Sequence, residues 1–294
     1  MTNDQAQDIQ QRNYSTISPS AKALILLKGH TDIPYAKAVA ELVSLPEDYE
    51  PDFKRRDFTF WARTVHLEGR YRSINTLLKD VQATNILELS SGLSFRGLDM
   101  VQQKNIHYID TDLFDLIATK RHCATTLQDS NDKPMGTLEI LPLNALDEQQ
   151  FTEVVSHFPA GELAIVNEGL LMYLEMEEKI ELCGIIRDVL KERGGCWITA
   201  DVYIKTDEGF VNMEENDKLK RFLDEHNVEQ NKFESFAAAE EFFNEQGFVL
   251  DKEAPHDHSN ISSLKYLLES ISKEQLMAIG RAGKIQATWR LRLK

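Results

Sequence analysis

Residues 86 to 97, Ile-Leu-Glu-Leu-Ser-Ser-Gly-Leu-Ser-Phe-Arg-Gly, place one acid, Glu88, inside a short apolar run that ends in a turn of small residues. A second acidic segment follows, where Ile106-His-Tyr-Ile-Asp-Thr-Asp112 reads as another strand closing on Asp110 and Asp112. Carboxylates so placed can hold ribose hydroxyls, and small turn residues let backbone amides near a helix start face a polar or anionic group. The pair of segments therefore suits an adenosine-containing ligand. A dinucleotide fingerprint needs three glycines at fixed spacing, whereas here only Gly92 and Gly97 stand and position 90 is Ser, which weakens a nicotinamide dehydrogenase reading. An ordinary strand-to-helix turn is the bland alternative on this segment alone.

Such residues need a scaffold, and from residue 84 the chain alternates. Strands are predicted near 85 to 90, 105 to 110, 137 to 142, 162 to 167 and 196 to 202, with helices near 95 to 103, 113 to 128, 147 to 157 and 175 to 193 between them. Alternation at this spacing predicts an α/β fold with a mostly parallel, doubly wound sheet. The helix over 175 to 193 is the clearest, with Ile180, Ile185, Ile186, Val189 and Leu190 near one side and Gly194-Gly195 ending it. Residues 205 to 235 are charged and irregular; 236 to 246 reads as a helix and Gly247 to Asp251 as a sixth strand. A helical insertion over about 261 to 282 then precedes a seventh strand, Ala287 to Leu293, and the last two strands would pair as a hairpin.

Ahead of the sheet, residues 1 to 18 read as a flexible N-terminus and 19 to 80 as a helical cap. Ser20 can cap a run containing Ala23, Leu24, Leu26 and Leu27; a second helix starts at Asp32-Ile-Pro-Tyr-Ala and a third spans about Asp57 to Leu78. The remainder, 81 to 294, forms the ligand-binding domain, with lid insertions near 205 to 235 and 255 to 285.

Composition narrows the classes. The 294 residues carry a formal charge of −15, which repels a nucleic-acid backbone. The basic run from Arg281 to Lys294 alternates as Trp-Arg-Leu-Arg-Leu-Lys at its end, so it reads as a half-buried strand with one charged face. No run approaches the roughly 20 apolar residues of a membrane span, and a polar N-terminus predicts a cytoplasmic protein. Cys123, Cys183 and Cys196 lack metal-type pairing and read as buried free thiols, so no metal is predicted.

Four segments in order resemble the leucine carboxyl methyltransferase and tetracenomycin polyketide O-methyltransferase family over nearly the whole chain from about Ser18. They are Phe60-Trp-Ala-Arg63-Thr, the turn from Ile86 to Gly97, Tyr108-Ile-Asp-Thr-Asp-Leu113, and Asn167-Glu-Gly-Leu-Leu-Met-Tyr-Leu174. The resemblance implies the mixed seven-stranded sheet of class I methyltransferases. It also implies S-adenosylmethionine (SAM) as cofactor, S-adenosylhomocysteine (SAH) as product, and methyl transfer to a carboxyl or hydroxyl oxygen. Carried over by residue, it puts Glu88, Ser90 and Gly92 on the cofactor turn, Asp110 and Asp112 on the ribose segment, and Arg63 against the methionine carboxylate. Asn144 and Ala145 fall beside adenine, Glu168 is the acid of the fourth-strand motif, and Lys22 matches a lysine of the N-terminal helices that would meet substrate. Ser90 stands where the family often has glycine and Asn144 where it has Asp, although an amide can still bond an exocyclic amine.

A sulfonium carries its own driving force, so the protein has mainly to align an oxygen and exclude water. A carboxylate acceptor needs no base, and Arg63 or Lys22 would pair with it, with Tyr173 a further positioning candidate. A phenol or alcohol would gain from a base; His66 is the nearest histidine, and no motif singles it out. Each pick has a plain counterpart: Arg63 and Lys22 as surface residues, Tyr173 as a core aromatic, His66 as a satisfied histidine, and Asp201 as either a pocket residue or a turn cap. Aromatics of the lids (Tyr35, Phe60, Trp61, Phe210 and Phe222) favour a small-molecule acceptor over a protein C-terminus. The departures at Ser90 and Asn144 also motivate a second reading, a SAM-binding sensor without transferase activity.

Overall fold

The computed structural model describes residues 18–43, 56–128, 133–205 and 218–294. The expectations for residues 1 to 17 and for Phe210 fall outside them.

Seven strands form one sheet: β1 (Asn85–Leu89), β2 (His107–Asp112), β3 (Thr137–Pro142), β4 (Leu163–Asn167), β5 (Gly195–Tyr203), β6 (Phe248–Glu253) and β7 (Gln286–Leu293). Their order is β3-β2-β1-β4-β5-β7-β6. The first five are mutually parallel and β7 runs antiparallel to both β5 and β6, so the sheet is mostly parallel and doubly wound, with the expected closing hairpin.

The strand sequences explain this layering. β1 and β4 are buried at every position, as near-continuous apolar strands covered by helices on both sides must be. Alternation along β1 sends Leu87 and Leu89 to a core shared with Phe151, Leu182 and Ile186, and sends Ile86 to a second core with Ile74, Leu77 and Val101. The first core holds α6 (Glu148–Ser156) and α7 (Met176–Arg193); the second holds α3 (Phe58–Lys79) and α4 (Arg96–Gln103). Glu88 falls on the side of α3 and α4 by the same period of two.

Two shorter helices, α1 (Ser18–Lys28) and α2 (Ala36–Leu42), precede α3; α5 (Phe114–Leu127) follows β2 and α9 (Phe236–Glu245) precedes β6. Among its described residues the charged stretch before α9 contains one helix, α8 (Lys218–Glu225). The insertion between β6 and β7 differs from the single helix expected over 261 to 282. It is two helices, α10 (Leu264–Ser270) and α11 (Lys273–Ala282), because Ser272 leaves helical geometry and forms a capping box with Gln275 that starts a new helix. Glu68 of α3, wholly buried, pins this insertion: its two oxygens accept from the backbone N–H and hydroxyl groups of Ser262 and Ser263 at 2.7 to 3.0 Å. On β7, the charged face expected from the alternation is half covered, since Arg290 and Arg292 both reach Asp251 of β6.

The three cysteines are free and buried. Among the described residues no helix is long and apolar enough to cross a membrane, and no cluster of His, Cys, Asp or Glu could hold a metal ion.

Candidate functional site

The strand order reverses between β1 and β4, which opens a crevice at their C-terminal ends. Register places Leu89 opposite Asn167, so the turn after β1 and Glu168 after β4 lie side by side there. A cleft at this point is lined by Glu88, Ser90, Gly92, Asp112, Asn144, Ala145, Glu168 and Tyr173 among others. The structure thus brings together most of the residues singled out in the sequence.

The turn itself is built on left-handed backbone. Gly92 has φ of 56° and Ser90, where a glycine would be unstrained, has φ of 48°. Asp112 braces this turn from below, its Oδ2 accepting from Gly92 N at 2.7 Å and its Oδ1 from Leu113 N at 2.8 Å. Burial pushes the Asp112 carboxyl up, while these two amides hold it down. Gly97, expected to serve the ligand, instead serves packing. A Cβ there would sit 2.6 Å from the Tyr108 ring, so the missing side chain lets α4 lie close on β2.

Three of the predicted residues lie away from this cleft. Asp110 is fully buried and absent from the cleft lining; Lys120 Nζ lies 3.2 Å from its Oδ2, without the alignment of a hydrogen bond. Burial pushes Asp110 up to about 7, against the pull of Lys120. Lys120 in turn donates to Ser91 Oγ at 2.6 Å, so this buried pair supports the turn from behind. Arg63 lines a second cavity and not this cleft, and Lys22 lines neither. The cations that do line the cleft are Lys28 at the end of α1 and Arg70 of α3, with Arg96 of α4 fully buried behind them.

These three converge on Glu168. Lys28 Nζ lies 2.6 Å and Arg70 Nη2 3.4 Å from its Oε1, and Arg96 Nη2 lies 2.9 Å from its Oε2. Burial alone would push Glu168 up; Lys28, Arg70 and Arg96 outweigh it and hold the carboxyl at about 2. Arg96 is fully buried, bonded also to Glu88, Asn75 and the Tyr71 carbonyl, and its guanidinium lies 4.1 Å from the Tyr71 ring centroid. Glu88 accepts a further bond from Tyr108 Oη at 2.5 Å. Three cations face these two carboxylates, and Asp201 adds a third negative charge close enough to Arg70 to favour its charged form.

Glu168 is aimed by the turn that follows it. Asp201 at the end of β5 lines neither cavity, which settles its role as a cap. Its carboxylate accepts from Asn167 Nδ2 at 2.6 Å and from the backbone N–H groups of Gly169, Leu170 and Leu171 at 2.6, 2.7 and 3.2 Å. Trp197 Nε1 fixes the other end of the Asn167 amide at 2.7 Å. At the far rim, Asn144 Oδ1 accepts from Leu146 N at 3.2 Å, so the amide's N–H donors are the groups free of that bond.

A second, larger cavity lies across a thin partition. It is bounded by one face of α3 (Thr59, Ala62, Arg63, His66, Gly69, Arg70), by Tyr203 and by the insertion before β7. Ser20, Leu24, Arg70, Met172 and Tyr173 line both cavities and so form the partition. On its far side Arg70 Nη1 donates to Tyr203 Oη at 3.0 Å, and Tyr203 Oη lies 2.6 Å from His66 Nε2. Burial, then the nearby Arg70, pushes the His66 imidazole down to about 3, and burial pushes Tyr203 up to about 12.

Gly69 is a glycine inside a long helix at this cavity wall, and a Cβ built on it meets nothing within 4 Å. Gly69→Ala is therefore expected to raise stability by about 0.5 to 1 kcal/mol through helix propensity. Thermal melting checks this, and a midpoint below that of the wild type would show that the space is not open.

No protein-family model and no curated protein matches the chain. Among solved structures it is similar to the magnesium protoporphyrin IX methyltransferase of Synechocystis PCC 6803 with bound SAH, at 8% identity and a TM-score of 0.48, over 83% of this chain and 89% of that one. It is similar also to the mitomycin 7-O-methyltransferase MmcR, at 11% identity and a TM-score of 0.45, over 94% of this chain and 67% of that one. A third likeness is to LepI in complex with SAH and a substrate analogue, at 10% identity and a TM-score of 0.44, over 72% of this chain and 43% of that one. The chain spans about half the length of LepI, 52% of it as solved with SAM. Likeness at this level concerns the course of the chain and assigns chemistry to no residue. The strand order β3-β2-β1-β4-β5-β7-β6 with β7 reversed is the class I methyltransferase form of the Rossmann-like fold.

Proposed function

We propose that the protein transfers a methyl group from SAM to a carboxyl or hydroxyl oxygen of a small molecule and releases SAH. The observation that carries this reading is the pair of cations Lys28 and Arg70 beside Glu168 in a cleft that Asp112 also lines and whose partition borders a second cavity. When bound, SAM supplies an activated methyl on its sulfonium. Asp112 holds the ribose, Lys28 and Arg70 take the amino-acid carboxylate, and Glu168 faces the ammonium. Asn144 and Ala145 border the adenine, where the free Asn144 N–H groups pair with a ring nitrogen. Tyr173 and Met172 shape the passage between methyl and acceptor, and Arg63 serves the acceptor side. A pre-formed second cavity favours a transferase over a sensor.

Calorimetry with SAH is the direct test, and folded protein that takes up none would overturn the reading. Asp112→Ala is expected to weaken SAH binding by about 10-fold or more, the worth of charge-assisted hydrogen bonds of about 1.5 to 3 kcal/mol. Asp110→Asn acts only through the packing behind the turn and should change affinity less; the reverse order would relocate the ribose.

A further inference from the structure

We infer that His66 orients the acceptor as a hydrogen-bond donor: Tyr203 holds its neutral ring in a single tautomer that presents Nδ1–H to the larger cavity. This rests on the transferase reading above for the word acceptor, and on geometry alone for the tautomer.

The chain of donors runs one way. A guanidinium can only donate, so the 3.0 Å contact makes Tyr203 Oη an acceptor from Arg70. Tyr203 is 3% exposed and its one proton needs a partner, which His66 Nε2 provides at 2.6 Å. The opposite arrangement, Nε2–H donating to Oη, would leave a buried hydroxyl proton without an acceptor, at a cost of about 1 to 3 kcal/mol. With Nε2 accepting, a neutral imidazole must carry its hydrogen on Nδ1.

Nδ1 is the free end of the ring. Among the described residues it has no hydrogen-bond partner, yet it is not one of the buried unpartnered polar atoms, so it is open to the cavity that His66 lines. Burial first, then Arg70 and Lys232, oppose a second proton on the ring, and they outweigh Glu168, which favours it. His66 therefore cannot act as the base considered from the sequence, because one nitrogen is filled and the other already bears hydrogen. It can hold an oxygen that has a lone pair to spare, beside or at the atom that takes the methyl. Arg70 joins this donor to Glu168 in the cofactor cleft, so one guanidinium sets the geometry on both sides of the partition.

Two measurements test the inference. In full-length protein with labelled histidine nitrogens and bound SAH, long-range proton–nitrogen correlation should show His66, assigned by its loss in His66→Asn, as the Nδ1–H form from about pH 6 to 8.5. An Nε2–H or doubly protonated pattern in that range overturns it. Tyr203→Phe removes the hydroxyl that fixes the ring, and should let the Nε2–H form appear. In methyl transfer from labelled SAM to a metabolite extract, His66→Asn, whose amide nitrogen overlays Nδ1, should retain product within about 5-fold of wild type. His66→Gln, whose amide reaches the Nε2 position, should lose about 10-fold or more, with SAH affinity unchanged in both. Equal effects of the two variants would also overturn it. Absence of SAH binding by the wild type counts against the transferase reading alone, since the tautomer pattern can still be read.

Discussion

Glu168→Ala is expected to cost about 3 to 5 kcal/mol of stability and to abolish SAH binding. The reason is the company it leaves behind: Lys28 would lose its carboxylate partner in a buried space, Arg70 would keep only the nearby Asp201 and Arg96 only Glu88, and removing one partner of a buried ionic cluster typically costs that much. The loss is electrostatic, so Glu168→Gln, which keeps shape and one acceptor oxygen, should recover little of it. Urea denaturation reads both, and a wild-type midpoint for either variant would show that the cations find other partners. The same cluster sets an acid limit. Because the folded carboxyl sits at about 2, below its ordinary 4.5, it contributes stability that is complete above about pH 4.5 and is lost as pH falls toward 2. That contribution is about 3 kcal/mol, and Glu168→Gln should flatten the wild type's loss of stability over this window.

Asp201→Ala is expected to cost about 3 kcal/mol or more, although the residue touches neither cavity. It would strand three backbone donors and one N–H of the Asn167 amide, whose other bonds to Thr199 and Trp197 remain, at about 1 to 3 kcal/mol for each unsatisfied group before relaxation or entry of water. Gly169, with φ of 87°, and the 3₁₀ turn Leu171–Tyr173 owe their course to this carboxylate, so Glu168 and Tyr173 should both lose their aim. SAH affinity should then fall along with stability. Asp201→Asn keeps one accepting oxygen and should be intermediate. If Asp201→Ala bound SAH as the wild type does, the turn would have to be held by something other than its cap.

The sheet was legible because its strands have no alternative. Leu163-Ala-Ile-Val-Asn is too short and apolar for anything but a buried strand, and Gly194 marks the end of α7 with positive φ. The acids at the strand ends were legible for the same reason: a parallel sheet delivers its strand termini to one crevice. Depth was not. Asp110 and Asp112 lie two residues apart on one face of β2, and only the packing of Lys120 shows that the first is sealed and the second reaches the cleft. Arg63 and Arg70 share a face of α3 two turns apart, and no local pattern says which turn passes β4. Lys28, Arg70 and Arg96 come from three helices far apart in the chain, and each alone reads as an ordinary helical cation. Their convergence on one carboxylate belongs to tertiary structure. Arg96 was within reach, since it stands inside the same short turn segment as Glu88.

Arg70, Met172 and Tyr173 are shared masonry, and that constrains any attempt to broaden what the protein accepts. Carving the larger chamber from the inside would breach the smaller one. Remodelling has to begin at the exposed rim, where Leu268 and Leu276 are 57% and 54% exposed and line the larger cavity alone.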